Sequence, residues 1–237
     1  MSALPEDADV ETASEGYAMR FASPVGAWML DVQRGITLDL LADAPGATVL
    51  DVGGGHGQVA PALSGHRVSV LASTGDAVSV ALRPAVESGQ VALLTGDLRN
   101  PPGEASFDVV ISYRLLAHAH DLTGLIAGLT RAAKQSVIVD YATTRSFNAV
   151  ADLLFAAKKR VELNTRPFLV LRDADVAALF RQHGFALRER RPQFFWPMAL
   201  HRALKSPALS RALEAMAAGV GLRRLLGSPV IARFDRV

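Results

Sequence analysis

Residues 51–57 read Asp-Val-Gly-Gly-Gly-His-Gly, the stretch of the chain best equipped to hold a charged small molecule. Glycines at a turn allow positive φ and let a ligand approach where a Cβ would otherwise stand. Asp51 adds a fixed negative group beside that opening. A cationic or amine-bearing nucleoside suits such a pocket better than a pyrophosphate does. Two phosphate-binding alternatives fail on their residues. A dinucleotide fingerprint through Gly53 and Gly55 meets Gln58 where its third Gly or Ala belongs, and the Gly-Lys pair of a P-loop occurs nowhere in the chain. Further along, Thr95-Gly96-Asp97-Leu98 places a carboxylate in a turn, and His118-x-His120-Asp121 is the compact cluster among six histidines. Histidine titrates near neutrality, so His118 and His120 are candidate proton acceptors. Their spacing also allows chelation, but no metal site is expected. The chain has no cysteine, which excludes thiolate ligands, disulfides and a cysteine nucleophile.

These residues need a scaffold that brings them to one edge. Apolar runs of strand length occur at 48–52, 67–71, 91–94, 108–113 and 136–141, with a late pair at 186–194 and 230–234. Helix-compatible segments at 58–63, 76–87 and 122–134 lie between them, an alternation that predicts a mostly parallel sheet covered on both faces. Asp51, the glycine turn, Ser73, Thr74, Asp97 and Tyr113 all follow strand ends. Ligands of such sheets bind outside those carboxyl ends, where strand order reverses. Two helical segments exceed this core. One covers residues 17–41 and is interrupted at Pro24 and Gly35. The other, at 197–226, carries Met198, Leu200, Leu204, Leu209, Leu213 and Met216 at helical spacing.

The glycine turn, the Gly96-Asp97 element and the Phe107-Asp108-x-Val110 strand leading to His118 come in an order that resembles the class I S-adenosylmethionine-dependent methyltransferases over residues 45–141. The resemblance implies a Rossmann-like, doubly wound α/β sheet of seven strands, with the last strand inserted antiparallel. It implies an N-terminal helical segment (1–44), a methyltransferase domain (45–237) and a helical insertion or lid at 197–227, to which 146–163 would contribute. S-adenosylmethionine, leaving as S-adenosylhomocysteine, would be held by Asp51, Gly53, Gly54, Gly55, Gly57, Ser73, Thr74, Asp97, Leu98 and Tyr113. Tyr17 and Arg20 would come from the N-terminal helix, with Arg20 toward the cofactor's carboxylate. The family's usual acidic residue at the end of the second strand is missing, since Ala72-Ser73-Thr74 stands there. Losing one charge-assisted bond to the ribose costs about 1–3 kcal/mol, or roughly tenfold to a hundredfold in affinity.

Composition narrows the partners. Half of the 237 residues are hydrophobic, enough for a substantial core, and charged residues break every long apolar run. The acidic N-terminus is unlike a signal peptide, so the cytoplasm is the expected compartment. From Arg181 onward eleven Arg or Lys face only Glu189, Glu214 and Asp235. The expected activity is methyl transfer to a small hydrophobic or aromatic acceptor, at oxygen, without nucleic acid or a membrane span, and a homodimer is compatible with it. The alternatives are a non-catalytic scaffold of the same fold, or a methyltransferase that meets lipid or nucleic acid through its basic C-terminal half.

Overall fold

The five apolar runs of the first two-thirds of the chain become parallel strands: β1 (Thr48–Val52), β2 (Arg67–Ala72), β3 (Val91–Thr95), β4 (Phe107–Ser112) and β5 (Ala133–Thr143). The computed structural model describes residues 6–147 and 169–237. A two-residue β6 (Val170–Leu171) pairs with the end of β5, and β7 (Phe185–Pro192) and β8 (Val230–Arg236) complete the sheet. The order is β3-β2-β1-β4-β5-β8-β7, with β8 antiparallel to both neighbours. The seven-stranded, doubly wound arrangement expected from the sequence is therefore present. Strand order reverses between β1 and β4, which opens a crevice at their carboxyl ends.

Both sheet faces are covered, which is why the parallel strands are rich in Val, Leu and Ile. One face packs Leu50, Val52, Val110 and Val137 against α5 (Leu122–Ala132) and α6 (Asp173–Gln182), through Leu125, Leu129 and Phe180. The other packs Val49, Val70, Ile111 and Ile138 against Leu40 and Leu41 at the end of α3 (Pro24–Leu40). Side chains alternate along a strand, so Asp51 shares the α3 face with Val49.

The helices differ from the sequence expectation in three places. Ahead of α3 lie two short helices, α1 (Ala8–Thr12) and α2 (Glu15–Met19). Pro24 opens α3 behind the Ser23 cap, whose hydroxyl accepts from the Gly26 N–H at 3.0 Å, and Gly35 sits inside the helix without ending it. The segments 58–63 and 76–87 are not full helices. They shrink to a single 3-10 turn at Ala60–Ala62 and to the five-residue α4 (Arg83–Glu87). Pro61 has no N–H to give a helix. Ser79 bonds back to the glycine turn, from its N–H to the Gly55 carbonyl (2.8 Å) and from its hydroxyl to the His56 carbonyl (2.9 Å), so 74–82 wraps that turn.

Between β7 and β8 run α7 (Met198–Leu204), α8 (Pro207–Gly219) and α9 (Leu222–Leu226). They join α3 through a separate small core of Val25, Trp28, Met29 and Phe194, with Met198 against it. Buried Glu214 ties this unit together by accepting from the Phe195 and Trp196 N–H groups (2.9 and 3.0 Å) and bonding His201 Nε2 at 3.0 Å. Of the segment 146–163, only 146 and 147 fall within the described residues.

Candidate active site

At the end of β1 the chain turns through left-handed Gly53 (φ +74°) and Gly57 (φ +67°). The two glycines between them make room for the protein's own atoms. A Cβ on Gly54 would stand 2.2 Å from a carboxylate oxygen of Asp51, and one on Gly55 would stand 1.7 Å from the Ala77 carbonyl oxygen. Gly54 thus admits the Asp51 carboxylate beneath the turn, while Gly55 is packed against residues 77–78. Asp51 is fully buried, and neither carboxylate oxygen has a hydrogen-bond partner. Burial pushes its pKa up to about 7; Arg114 opposes the rise and the neighbouring Asp140 adds to it. His56 is buried too, with Nδ1 accepting from the Gln58 N–H at 3.1 Å, and burial holds its pKa well below the usual imidazole range, so it stays neutral.

Arg114 is the centre of the crevice, and sequence reasoning gave it no role. It follows β4 with φ +66°, a conformation costly for a non-glycine residue. Its N–H donates to Asp140 Oδ1 at 2.5 Å. Its guanidinium bonds the side-chain oxygens of Gln58 and Gln33 and lies 4.8 and 5.3 Å from the ring centres of Phe21 and Tyr17. Burial raises Asp140 to about 6, against the bond and charge of Arg114. The only sequence signal was position, since Arg114 follows β4 and Asp140 lies near the end of the adjacent β5. Gln33 and Phe21 gave none, because they arrive from another element. Tyr17 lies in this cluster, whereas Arg20 lies over the Tyr17 ring and faces Glu11 at 3.8 Å. Arg202 of α7 stands 5.8 Å from the Phe21 ring, bringing the inserted helices to the rim.

On the other side of the glycine turn, α1 lies across the strand ends. Ser73 donates its N–H (2.7 Å) and its hydroxyl (2.5 Å) to the carboxylate of Asp9, so an acidic group stands at the end of β2 although β2 itself lacks one. Ala8 packs among Leu50, Leu71, Leu98 and Leu115, and Glu6 accepts from the His120 N–H at 3.0 Å. Burial raises the pKa of both Asp9 and Glu6. Nothing in the sequence announced this docking.

The remaining candidates divide. Asp97 is exposed and accepts from the Arg99 N–H at 3.0 Å, shaping its own turn, while Leu98 is fully buried. Thr74 is exposed at the turn, where its carbonyl accepts from the Ala77 N–H. Tyr113 is in the core: its ring is buried with Ile111 and Ile138, and its hydroxyl is 2.8 Å from that of Thr37. It shares the α3 face with Ile111, two residues before it, so α3 takes up its hydroxyl. His118 is half-buried at the end of a 3-10 turn and His120 is exposed. Asp121 caps α5 by accepting from the Gly124 N–H at 2.9 Å. Among the described residues no group of three or more His, Asp or Glu could hold a metal ion, and no helix is long and apolar enough to cross a membrane.

Residues 50–139 match the family model described as methyltransferase domain. Over those residues the chain carries a methyltransferase domain. Solved structures agree on the fold over nearly the whole chain. Magnesium protoporphyrin IX methyltransferase from Synechocystis PCC 6803, with SAH bound, superposes with a TM-score of 0.65 at 17% identity, covering 96% of this chain and 92% of that one. The 1,6-didemethyltoxoflavin-N1-methyltransferase of Burkholderia thailandensis, with 1,6-didemethyltoxoflavin and S-adenosylhomocysteine bound, gives 0.61 at 14%, covering 96% and 85%. The [4+2]-cyclase SpnF gives 0.55 at 18%, covering 84% and 79%. No curated protein matches the chain. The glycine turn, Asp97 and the 107–118 strand and loop all lie within the methyltransferase match.

Proposed function

We propose that the chain transfers a methyl group from S-adenosylmethionine to an oxygen atom of a small apolar or aromatic acceptor. The observation that carries the cofactor half is the Asp51 carboxylate, buried beside the glycine turn without a partner. A carboxylate so placed costs several kcal/mol unless a cation or donor meets it. An ammonium group fits that need. Arg114 is the complementary cation, and guanidinium suits carboxylate recognition. Asp51 and Arg114 together match the two charged ends of an amino acid, which is what the methionyl part of the cofactor is.

The bound cofactor supplies a sulfonium methyl group already activated for displacement, so the protein's task is alignment and exclusion of water. Tyr17 and Phe21 cover Arg114 from the N-terminal segment, and Asp140 holds the Arg114 backbone. The rings of Phe147, Phe195 and Trp196 lie 5.0 to 5.6 Å from one another and favour an apolar acceptor. A hydroxyl acceptor must lose a proton, and His118 takes it in this reading. His118→Ala should then lower kcat by tenfold or more while leaving the cofactor Kd unchanged. An unchanged kcat across pH 6–9 removes it from that role.

One observation favours a second reading. Residues 6–13 fill the side of the crevice where the resemblance puts the nucleoside, and Asp9 already uses Ser73. Either α1 moves aside when cofactor enters, or the chain is a non-catalytic scaffold. Calorimetric titration with S-adenosylmethionine and S-adenosylhomocysteine decides, using both the full chain and a variant lacking residues 2–13. Micromolar binding to either form supports the enzyme. Silence from both, with each form folded, supports the scaffold.

A further inference from the structure

Helix α8 is built inside out. Its inward stripe is Ser210, Glu214 and Ala217, small or polar residues that are buried. Its outward stripe is Leu209, Ala212, Met216 and Val220, which recur at i, i+3, i+7 and i+11 and face solvent. Met216 is 71% exposed and Val220 72%, and Leu222 and Leu225 of α9 add two more exposed apolar side chains. An amphipathic helix normally turns its large residues inward.

The charged residues in this stretch of the chain are nearly all of one sign. Residues 202–226 contain Arg202, Lys205, Arg211, Arg223 and Arg224 against a single carboxylate, Glu214. Glu214 is buried and engaged by two backbone N–H groups and His201. Among the described residues, no ion pair involves Lys205, Arg211, Arg223 or Arg224. Apolar side chains that stand proud amid unpaired cations complement a surface with anionic headgroups over hydrocarbon. A second copy fits poorly, because the one carboxylate of residues 202–226 is buried, so two copies of this face offer each other no exposed opposite charge. RNA also fits poorly, because residues 202–226 contain no aromatic side chain on which a base could stack.

We propose that α8 and α9 form a docking face for anionic phospholipid bilayers, with Met216, Val220, Leu222 and Leu225 entering the headgroup boundary and Arg223 and Arg224, between Leu222 and Leu225 in α9, meeting the lipid phosphates. This surface lies on the inserted helical unit and is independent of whether the crevice binds cofactor. The test is co-sedimentation of the full chain with vesicles of phosphatidylcholine containing 30% phosphatidylglycerol, and with phosphatidylcholine alone. Binding is expected only to the anionic vesicles, weakening about tenfold or more between about 0.1 and 0.5 M salt as exposed charges are screened. Met216→Glu with Leu225→Glu, and separately Arg223→Glu with Arg224→Glu, should each weaken binding tenfold or more at unchanged melting temperature. Arg83→Glu, an exposed charge reversal on α4, should not. Equal binding to both vesicle types, or no binding, overturns the proposal. So does a concentration-dependent dimer that Met216→Glu abolishes, or salt-sensitive RNA binding with no vesicle binding.

Discussion

Replacing Asp51 by Asn should stabilise the folded chain above neutral pH while removing cofactor binding. Asp51 is buried without a hydrogen-bond partner, and its pKa rises from 3.8 to about 7 on folding. The folded state therefore holds a proton that the unfolded chain has released between those values. This group's contribution to stability is most favourable below pH 3.8, falls as pH rises toward 7, and is flat above. A rise of that size sets a ceiling of ~4 kcal/mol on the penalty at pH 8. Asparagine keeps the shape without the charge, but its amide also lacks partners, so a gain of about 2 kcal/mol is expected, or roughly 4–8 °C in melting temperature for a chain of this size. At pH 5 Asp51 is already neutral, and the gain should vanish. Scanning calorimetry of both proteins at pH 5 and pH 8, with S-adenosylmethionine titrations at pH 8, is the assay. An equal shift at both pH values, or destabilisation at pH 8, would refute the buried-charge argument. Intact cofactor binding would refute the role given to the carboxylate.

Three further outcomes follow from the same contacts. Asp9→Ala removes both bonds from Ser73 to α1 and should tighten cofactor binding about threefold to tenfold by loosening the helix from the crevice; weaker binding would mean that Asp9 assists the ligand. Gly55→Ala must displace the Ala77 carbonyl and should lower stability by about 2 kcal/mol or more, whereas Gly65→Ala, with nothing within 4 Å, should be near neutral by urea titration. Equal effects would show that the 74–82 wrap yields freely. Glu214→Gln turns amide hydrogens toward groups that now donate to a carboxylate and should cost about 2–3 kcal/mol in the same titration; a silent substitution would mean that the inserted helices do not depend on it.

The sheet and the motif that names its family were legible in the chain itself. Runs such as Val109–Ile111 and Val137–Val139 are apolar without alternation because both sheet faces are covered, and the glycine turn falls where a strand must end. Those are local constraints, readable over a few residues. The segments after β1 and β2 form less helix than expected because Pro61 lacks an N–H and Ser79 bonds to the glycine turn, a contact that helical periodicity cannot register. The crevice was only half legible. The positions of Asp51 and Tyr17 are readable from the sequence, but Arg114 acquires its meaning from Gln33 and Phe21 on one side and Asp140 on the other, residues brought from separate parts of the chain. Asp9 arrives at the end of β2 from 64 residues away. Sequence determines what each segment can bury. Which side chains meet over the strand ends depends on how the segments close on one another, and only the tertiary structure decided that.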